Sequence, residues 1–154
     1  MYSLLITIHS FLRWLVILAA AYALVRAYRG WLGRRPWTAA DRRAGTLFTS
    51  LFDLQVLVGL ILYFFASPIT RAFLTSLGAG LENPVERYFG VVHIGLLLLA
   101  VLIAHAGSAI SRNAQAEASR HRIAALLFSL SILIVLFAIP WPFSVVPRPW
   151  IRLG

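Results

Sequence analysis

The chain alternates between four long apolar blocks and short segments rich in arginine, proline or glycine. A membrane-spanning helix needs about 20 consecutive, mostly apolar residues. Four stretches meet that requirement: Leu4–Tyr28, Gly45–Ala66, Tyr88–Ile110 and Ile123–Ile139. Helices joined by short connections pack most simply as antiparallel neighbours. The pattern therefore predicts an all-α integral membrane protein, with residues 1–154 forming a single domain, an up-and-down bundle of four transmembrane helices.

The distribution of charge predicts how this bundle is oriented. The connection Arg29–Ala44 carries five arginines and one aspartate, and the connection Ser111–Arg122 carries three arginines and one glutamate. The segment Ser67–Arg87 instead balances two arginines with two glutamates, and its prolines predict an irregular loop. Arginine-rich loops stay in the cytoplasm. We therefore expect a multi-pass protein of the bacterial inner membrane, with both termini and the Ser67–Arg87 segment on the periplasmic side.

Composition narrows the possible chemistry. The formal net charge is +9, and all fourteen basic residues are arginine. Because these arginines cluster in the connections between apolar blocks, they indicate membrane topology, and no nucleic-acid partner is expected. The chain contains no cysteine. This excludes disulfides, thiolate metal sites, iron–sulfur clusters and the covalent attachment of a c-type haem.

Two histidines lie at the same predicted depth. His9 and His93 each follow the periplasmic start of their span by about 8 Å, at about 1.5 Å per residue. Positions three or four residues apart share one face of a helix. On the face that contains each histidine, the positions nearer the cytoplasmic end carry small side chains, which mark close helix packing in membranes. These small residues are Ala20, Ala23 and Ala27 in the first span, and Ala100, Ala104 and Gly107 in the third. Both histidines are therefore predicted to face the interior from helices on a diagonal of the bundle.

Two imidazoles facing each other across a bundle core favour axial ligation of one b-type haem. Gly59, Gly90 and Gly95 lie near that level and are predicted to make room for the flat ring. Arg13 and Arg87 are the candidates for neutralising the haem propionates, and Arg87 is the better placed of the two. The alternative is that the histidines only hydrogen-bond between helices or line a wet cavity.

A second polar pair is predicted nearer the cytoplasmic side. Asp53 in the second span and His105 in the third lie within one helical turn of each other in depth. His105 is turned about 120° from His93, at about 100° per residue, so it is expected to face a neighbouring helix. Three interpretations are open: a structural ion pair, a proton-relay or quinol site, or a variant metal site. His121, among arginines at the start of the fourth span, is expected to be solvated.

The chain resembles a family of small bacterial four-helix membrane proteins described as cytochrome b-like. The resemblance includes residues in or at the end of every span and so covers most of the chain. The matching pieces are His9-Ser-Phe-Leu-Arg13-Trp14, Asp53-Leu-Gln55, Gly59-Leu-Ile-Leu-Tyr63, Val92-His93, Ala104-His105-Ala-Gly107 and Ile139-Pro-Trp-Pro-Phe143.

The resemblance implies a membrane-embedded haem b protein that passes electrons as a subunit or partner of a respiratory or photosynthetic chain complex. By position, His9 and His93 would be the axial ligands of the haem iron. The family's second span more often has histidine where this chain has Asp53, so one haem is expected. The electron donor would be a quinol or a periplasmic protein. An electron carrier is expected rather than a stand-alone enzyme.

Two other classes of function stay open at this point. The first is a cofactor-free structural or accessory subunit of a larger membrane complex, which suits a chain with little mass outside the membrane. The second is a transporter or a metal-handling protein. That class is disfavoured because the chain has no cysteine and its only methionine is Met1.

Overall fold

The computed structural model describes residues 1–152, and helices are the only regular elements in this part of the chain. Seven α-helices follow one another: α1 Tyr2–Leu32, α2 Ala39–Ile61, α3 Pro68–Thr75, α4 Leu77–Glu82, α5 Pro84–Arg87, α6 Ile94–Asn113 and α7 Glu117–Ala138. Two π-helical turns, Leu62–Ala66 and Tyr88–His93, continue α2 and lead into α6.

The four predicted spans are confirmed as helices long and apolar enough to cross a membrane. Their observed ranges are Tyr2–Leu32, Ala39–Ala66, Pro84–Asn113 and Glu117–Ala138. Each range begins before the predicted span, and three of the four also reach or pass its predicted end. The reason is that polar residues can continue a helix once an apolar stretch has nucleated it. The structure therefore has the four long apolar helices that a multi-pass membrane protein requires.

The spans form a closed ring in which α1 packs on α2 and α7, and α6 packs on the same two helices. This confirms that the first and third spans lie on a diagonal. The core contains small residues at the predicted positions, including Ala20, Ala23, Ala100 and Ala104. The start of α1 and the tail residues 139–152 lie at one end of the bundle, here called the tail end, and the 33–38 and 114–116 connections form the opposite hairpin end.

The start of α2 shows why the first two spans turn at the hairpin end. The Thr38 backbone N–H donates to the Asp41 carboxylate over 2.7 Å, which completes a capping box. The other Asp41 oxygen accepts from Arg26 Nε on α1 over 2.9 Å. The capping box fixes the start of α2 at Thr38–Asp41, and the same carboxylate ties α1 to α2.

The segment between the second and third spans is helical, so the prediction of an irregular loop was wrong. Ser67 and Asn83 each precede a proline and act as helix N-caps. Asn83 Oδ1 accepts from the backbone N–H groups of Val85 and Glu86 over 3.0 and 3.3 Å. Proline at the first position of a helix removes only an N–H that has no partner there. The prolines therefore start helices here.

The C-terminal tail after α7 folds back over the tail end of the bundle. The Trp150 carbonyl accepts from the Arg13 guanidinium and from Trp14 Nε1, and the Arg152 backbone N–H donates to Ser10 Oγ over 3.0 Å. Trp14 also contacts Trp141 and Trp150, with ring centroids about 6 Å apart. The tail therefore covers the start of α1 and the space beside it.

Candidate functional site

The two predicted histidines meet inside the tail end of the bundle. His9 projects from α1, and His93 lies where the Tyr88–His93 turn becomes α6. Their ring centroids are 6.5 Å apart and their planes differ by 61°. The prediction that the two side chains come together inside the bundle is therefore confirmed. π-Helical turns widen a helix locally and are frequent at functional sites, and this one places His93 at the cavity wall.

His93 is held in one orientation by the end of α7. Its Nδ1 lies 2.7 Å from the Ala138 carbonyl oxygen, and Tyr88 Oη donates to the same oxygen over 2.9 Å. Ala138 is the last residue of α7, where carbonyls lack a partner within the helix. A carbonyl only accepts, so Nδ1 carries the proton and Nε2 keeps its lone pair. His93 therefore presents an anchored, ligand-capable nitrogen.

The ring nitrogens of His9 have weaker hydrogen-bonding partners than Nδ1 of His93. His9 Nε2 lies 3.2 Å from Nε2 of Gln55, which projects from α2. His9 Nδ1 and Gln55 Oε1 are both buried, and neither has a hydrogen-bond partner in the described residues. Buried polar atoms are nearly always paired, so two orphans on neighbouring side chains indicate that the site accepts a further group. Gln55 also lines the cavity, and a pattern of ionisable residues does not predict it because its side chain is uncharged.

A cavity of about 160 Å³ lies beside the two histidines. Its wall is mostly apolar, with His9, Arg13, Gln55 and His93 among the polar residues that line it. A cavity of about 150 Å³ holds a benzene-sized molecule, and pockets for larger ligands enclose about 300–1,000 Å³. The cavity is partly open, and a porphyrin would enter only if its walls moved apart.

Three arginines surround the tail-end side of this cavity. Arg13 comes from α1, and Arg148 and Arg152 come from the folded-back tail. Burial and the neighbouring Arg152 charge lower the pKa of Arg148, whose guanidinium also lies 5.3 Å from the Phe89 ring centroid. A group of cations with no carboxylate in the cavity lining favours an anionic ligand. The sequence around the two tail arginines does not predict this position, because it depends on how the tail folds back over the bundle.

Three residues expected at the haem site have other roles. Arg87 is exposed, donates to the Leu81 carbonyl over 3.2 Å and does not line the cavity. A Cβ on Gly90 would lie 2.5 Å from the Phe73 ring, so this glycine makes room for α3. Gly95 is exposed, with nothing within 4 Å of such a Cβ. Gly59 does adjoin the site, because its Cβ would lie 3.2 Å from His9 Cε1.

The second polar pair forms, but on the outside of the bundle. His105 Nε2 lies 2.7 Å from Asp53 Oδ1, and about half of each side chain is exposed. The predicted proximity of the two residues is confirmed. They line neither the cavity nor the core. No group of three or more histidine, aspartate or glutamate side chains able to hold a metal ion occurs in residues 1–152.

The expectation that His121 is solvated was wrong. His121 is 1% exposed and packs between Gly30 of α1 and the Trp37 ring, whose centroid is 4.8 Å away. Neither ring nitrogen has a partner in the described part of the chain. The prediction assumed that His121 shares the environment of the arginines beside it in sequence. Adjacent residues on a helix point in different directions, so His121 faces the core while these arginines do not.

No family model, no curated protein and no solved structure matches the chain.

Proposed function

We propose that this chain is a membrane-embedded b-type haem protein that carries electrons, with one haem held between His9 and His93. The observation that carries the proposal is the 6.5 Å between the two imidazole centroids. When two imidazoles bind one metal ion, each metal–nitrogen bond is about 2 Å long and each nitrogen lies about 1 Å from its ring centre. The two ring centroids must then lie about 6 Å apart. A bound haem would supply a reversible one-electron iron couple.

The donor set supports a porphyrin rather than a bare ion. Two imidazoles leave most coordination positions of a metal ion unfilled, and the described residues offer no third side-chain ligand of the usual kinds beside them. A porphyrin supplies the four equatorial nitrogens itself, so only two axial groups are needed. The Nδ1–H bond from His93 to Ala138 is the second interaction that orients most metal-bound histidines and raises their basicity.

The charges around the cavity support an anionic cofactor. Arg13, Arg148 and Arg152 line the cavity and would neutralise the two propionates. Arg13 replaces Arg87 as the preferred propionate partner, because Arg87 lies outside the cavity. A porphyrin would also require the mostly apolar walls of the cavity to move apart.

The charge pattern supports a place in the bacterial inner membrane. The arginines of the 33–38 connection and its flanks put the hairpin end in the cytoplasm. The tail end, with both termini and the histidine site, then faces the periplasm. At that level the haem would exchange electrons with a quinol or a periplasmic donor, as a subunit or partner of a respiratory or photosynthetic chain complex.

Reduced-minus-oxidised spectra of the detergent-purified protein test the proposal, with haemin supplied during expression. We expect a b-type α-band and a low-spin, six-coordinate iron. His9→Ala and His93→Ala should each remove the six-coordinate signal, because each deletes one axial ligand. His105→Ala is the matched control, since His105 is on α6 but outside the cavity, and it should keep the full spectrum.

The small cavity volume favours one competing function, a cofactor-free accessory subunit of a larger membrane complex. Under that alternative the wild-type protein has no α-band, and both histidine variants assemble normally. A band that persists in both variants would also refute ligation by this pair. A signal lost in either variant and kept in His105→Ala supports the proposal.

A further inference from the structure

The Asp53–His105 pair lies at membrane depth on the outer surface of the bundle, where lipid would contact it. Asp53 is near the middle of the span Ala39–Ala66. His105 lies about 12 Å from the end of α6 at Asn113, at about 1.5 Å per residue. Long side chains can reach from such depths to the membrane surface, but aspartate and histidine are too short.

In its net-neutral form the pair leaves one donor, His105 Nδ1–H, and one acceptor, Asp53 Oδ2, without a partner in residues 1–152. The 2.7 Å bond uses His105 Nε2 and Asp53 Oδ1. His105 Nδ1 and Asp53 Oδ2 have no further hydrogen bond within residues 1–152, and the two side chains are 51% and 52% exposed. Hydrocarbon offers neither a donor nor an acceptor, so ionisable groups in membranes face protein or a wet cavity. The two free atoms on this face of the bundle therefore require a further hydrogen-bonding partner.

The surroundings of the pair suit close contact with another helix. Thr46 and Ser50 precede Asp53 on the same exposed stripe of α2, and Ala109 follows His105 on α6. Small and hydroxyl side chains let helix backbones approach closely in membranes. The third span is also the least covered of the four. Only 17% of its most apolar stretch is buried, against 44% for the fourth span.

We propose that the Asp53–His105 face is the interface of a parallel homodimer. The free atoms are self-complementary: a two-fold axis along the membrane normal would place Asp53 Oδ2 of one copy against His105 Nδ1 of the other, twice. Such an axis keeps both pairs at one depth and uses the same patch on each copy, as two-fold interfaces do. Four side chains then satisfy one another without water, and a partner of different sequence is not needed.

Cross-linking in membranes tests the interface directly, because the wild-type chain contains no cysteine. Ser50→Cys places one thiol on the proposed face, and Leu18→Cys places one on α1, which is diagonal to α6 in the bundle. Mild oxidation should cross-link most of the Ser50→Cys chains as homodimers and leave Leu18→Cys monomeric. Equal cross-linking of both variants, or a product of Ser50→Cys with a different protein, would overturn the proposal.

The mass of the purified protein in a mild detergent tests the role of the pair. We expect a dimer for the wild type and a monomer for Asp53→Leu/His105→Leu, since replacing both partners with apolar groups removes the bond without leaving an unpaired atom. Leu18→Ala/Leu133→Ala, exposed on α1 and α7, is the control and should stay dimeric. A monomeric wild type, or a dimeric leucine variant, would refute the dimer. If the leucine variant misfolds, the cysteine result decides.

Discussion

The contact between Gly30 and His121 makes a strong prediction about packing at the hairpin end. A Cβ added at Gly30 would lie 2.1 Å from His121 Cε1 and 2.5 Å from Cγ. Ordinary contact begins at 3.4 Å, so the ring must retreat by about 1.3 Å. The Trp37 ring also packs against the imidazole, with its centroid 4.8 Å away, which leaves the imidazole less room to move. Because the contact includes Cγ, the whole side chain has to move.

The expected cost of Gly30→Ala follows from two opposing effects. Overpacking a filled core costs about 1–3 kcal/mol, and a displacement this large belongs at the upper end. Alanine gains about 1 kcal/mol over glycine in a helix interior. We therefore expect the free energy of unfolding to fall by about 2 kcal/mol. The matched control is Gly95→Ala, also in a helix but with nothing within 4 Å of the new methyl, which should not destabilise the protein.

Reversible unfolding in mixed detergent micelles measures this difference, and tryptophan fluorescence follows it because Trp37 contacts His121. The double variant Gly30→Ala/His121→Ala separates the clash from other effects. Removing the ring gives the new methyl space and cancels the whole overpacking cost, so the double variant should be about 3 kcal/mol more stable than the sum of the two single changes predicts. If the two changes are simply additive, or if Gly30→Ala behaves like Gly95→Ala, the packing argument is wrong.

Two further predictions concern the haem site and the hairpin end. Gly59→Ala places a methyl 3.2 Å from His9 Cε1, so the ring must yield by a few tenths of an ångström. We expect stability to change little and haemin affinity, measured by spectroscopic titration, to fall about tenfold. An unchanged affinity would show that His9 is free to shift. Asp41→Ala removes the acceptor of Arg26 and of a cap N–H, and should lower the free energy of unfolding by about 1–3 kcal/mol. Asp41→Asn keeps the shape and one acceptor and should lose less; equal losses would contradict this expectation, because they would assign the whole effect to the charge.

The spans and the level of the two histidines follow from the sequence alone. A bilayer sets the length of an apolar helix, and the constant rise of a helix turns residue number into depth. The small residues on the same helix faces as His9 and His93 identified the inner faces of α1 and α6, because close packing in membranes needs small side chains. These local rules were enough to bring His9 and His93 together.

Only the tertiary structure decided what surrounds the histidines. Residues 139–152 contain no helical period from which a path could be predicted, yet they bring Arg148 and Arg152 to the cavity. The Ala138 carbonyl that anchors His93 is available only because α7 ends at that level. His121 became buried, and Asp53–His105 became exposed, through the way neighbouring helices rotate about their axes. Rotation depends on how whole surfaces pack, and a pattern along one helix does not contain that information.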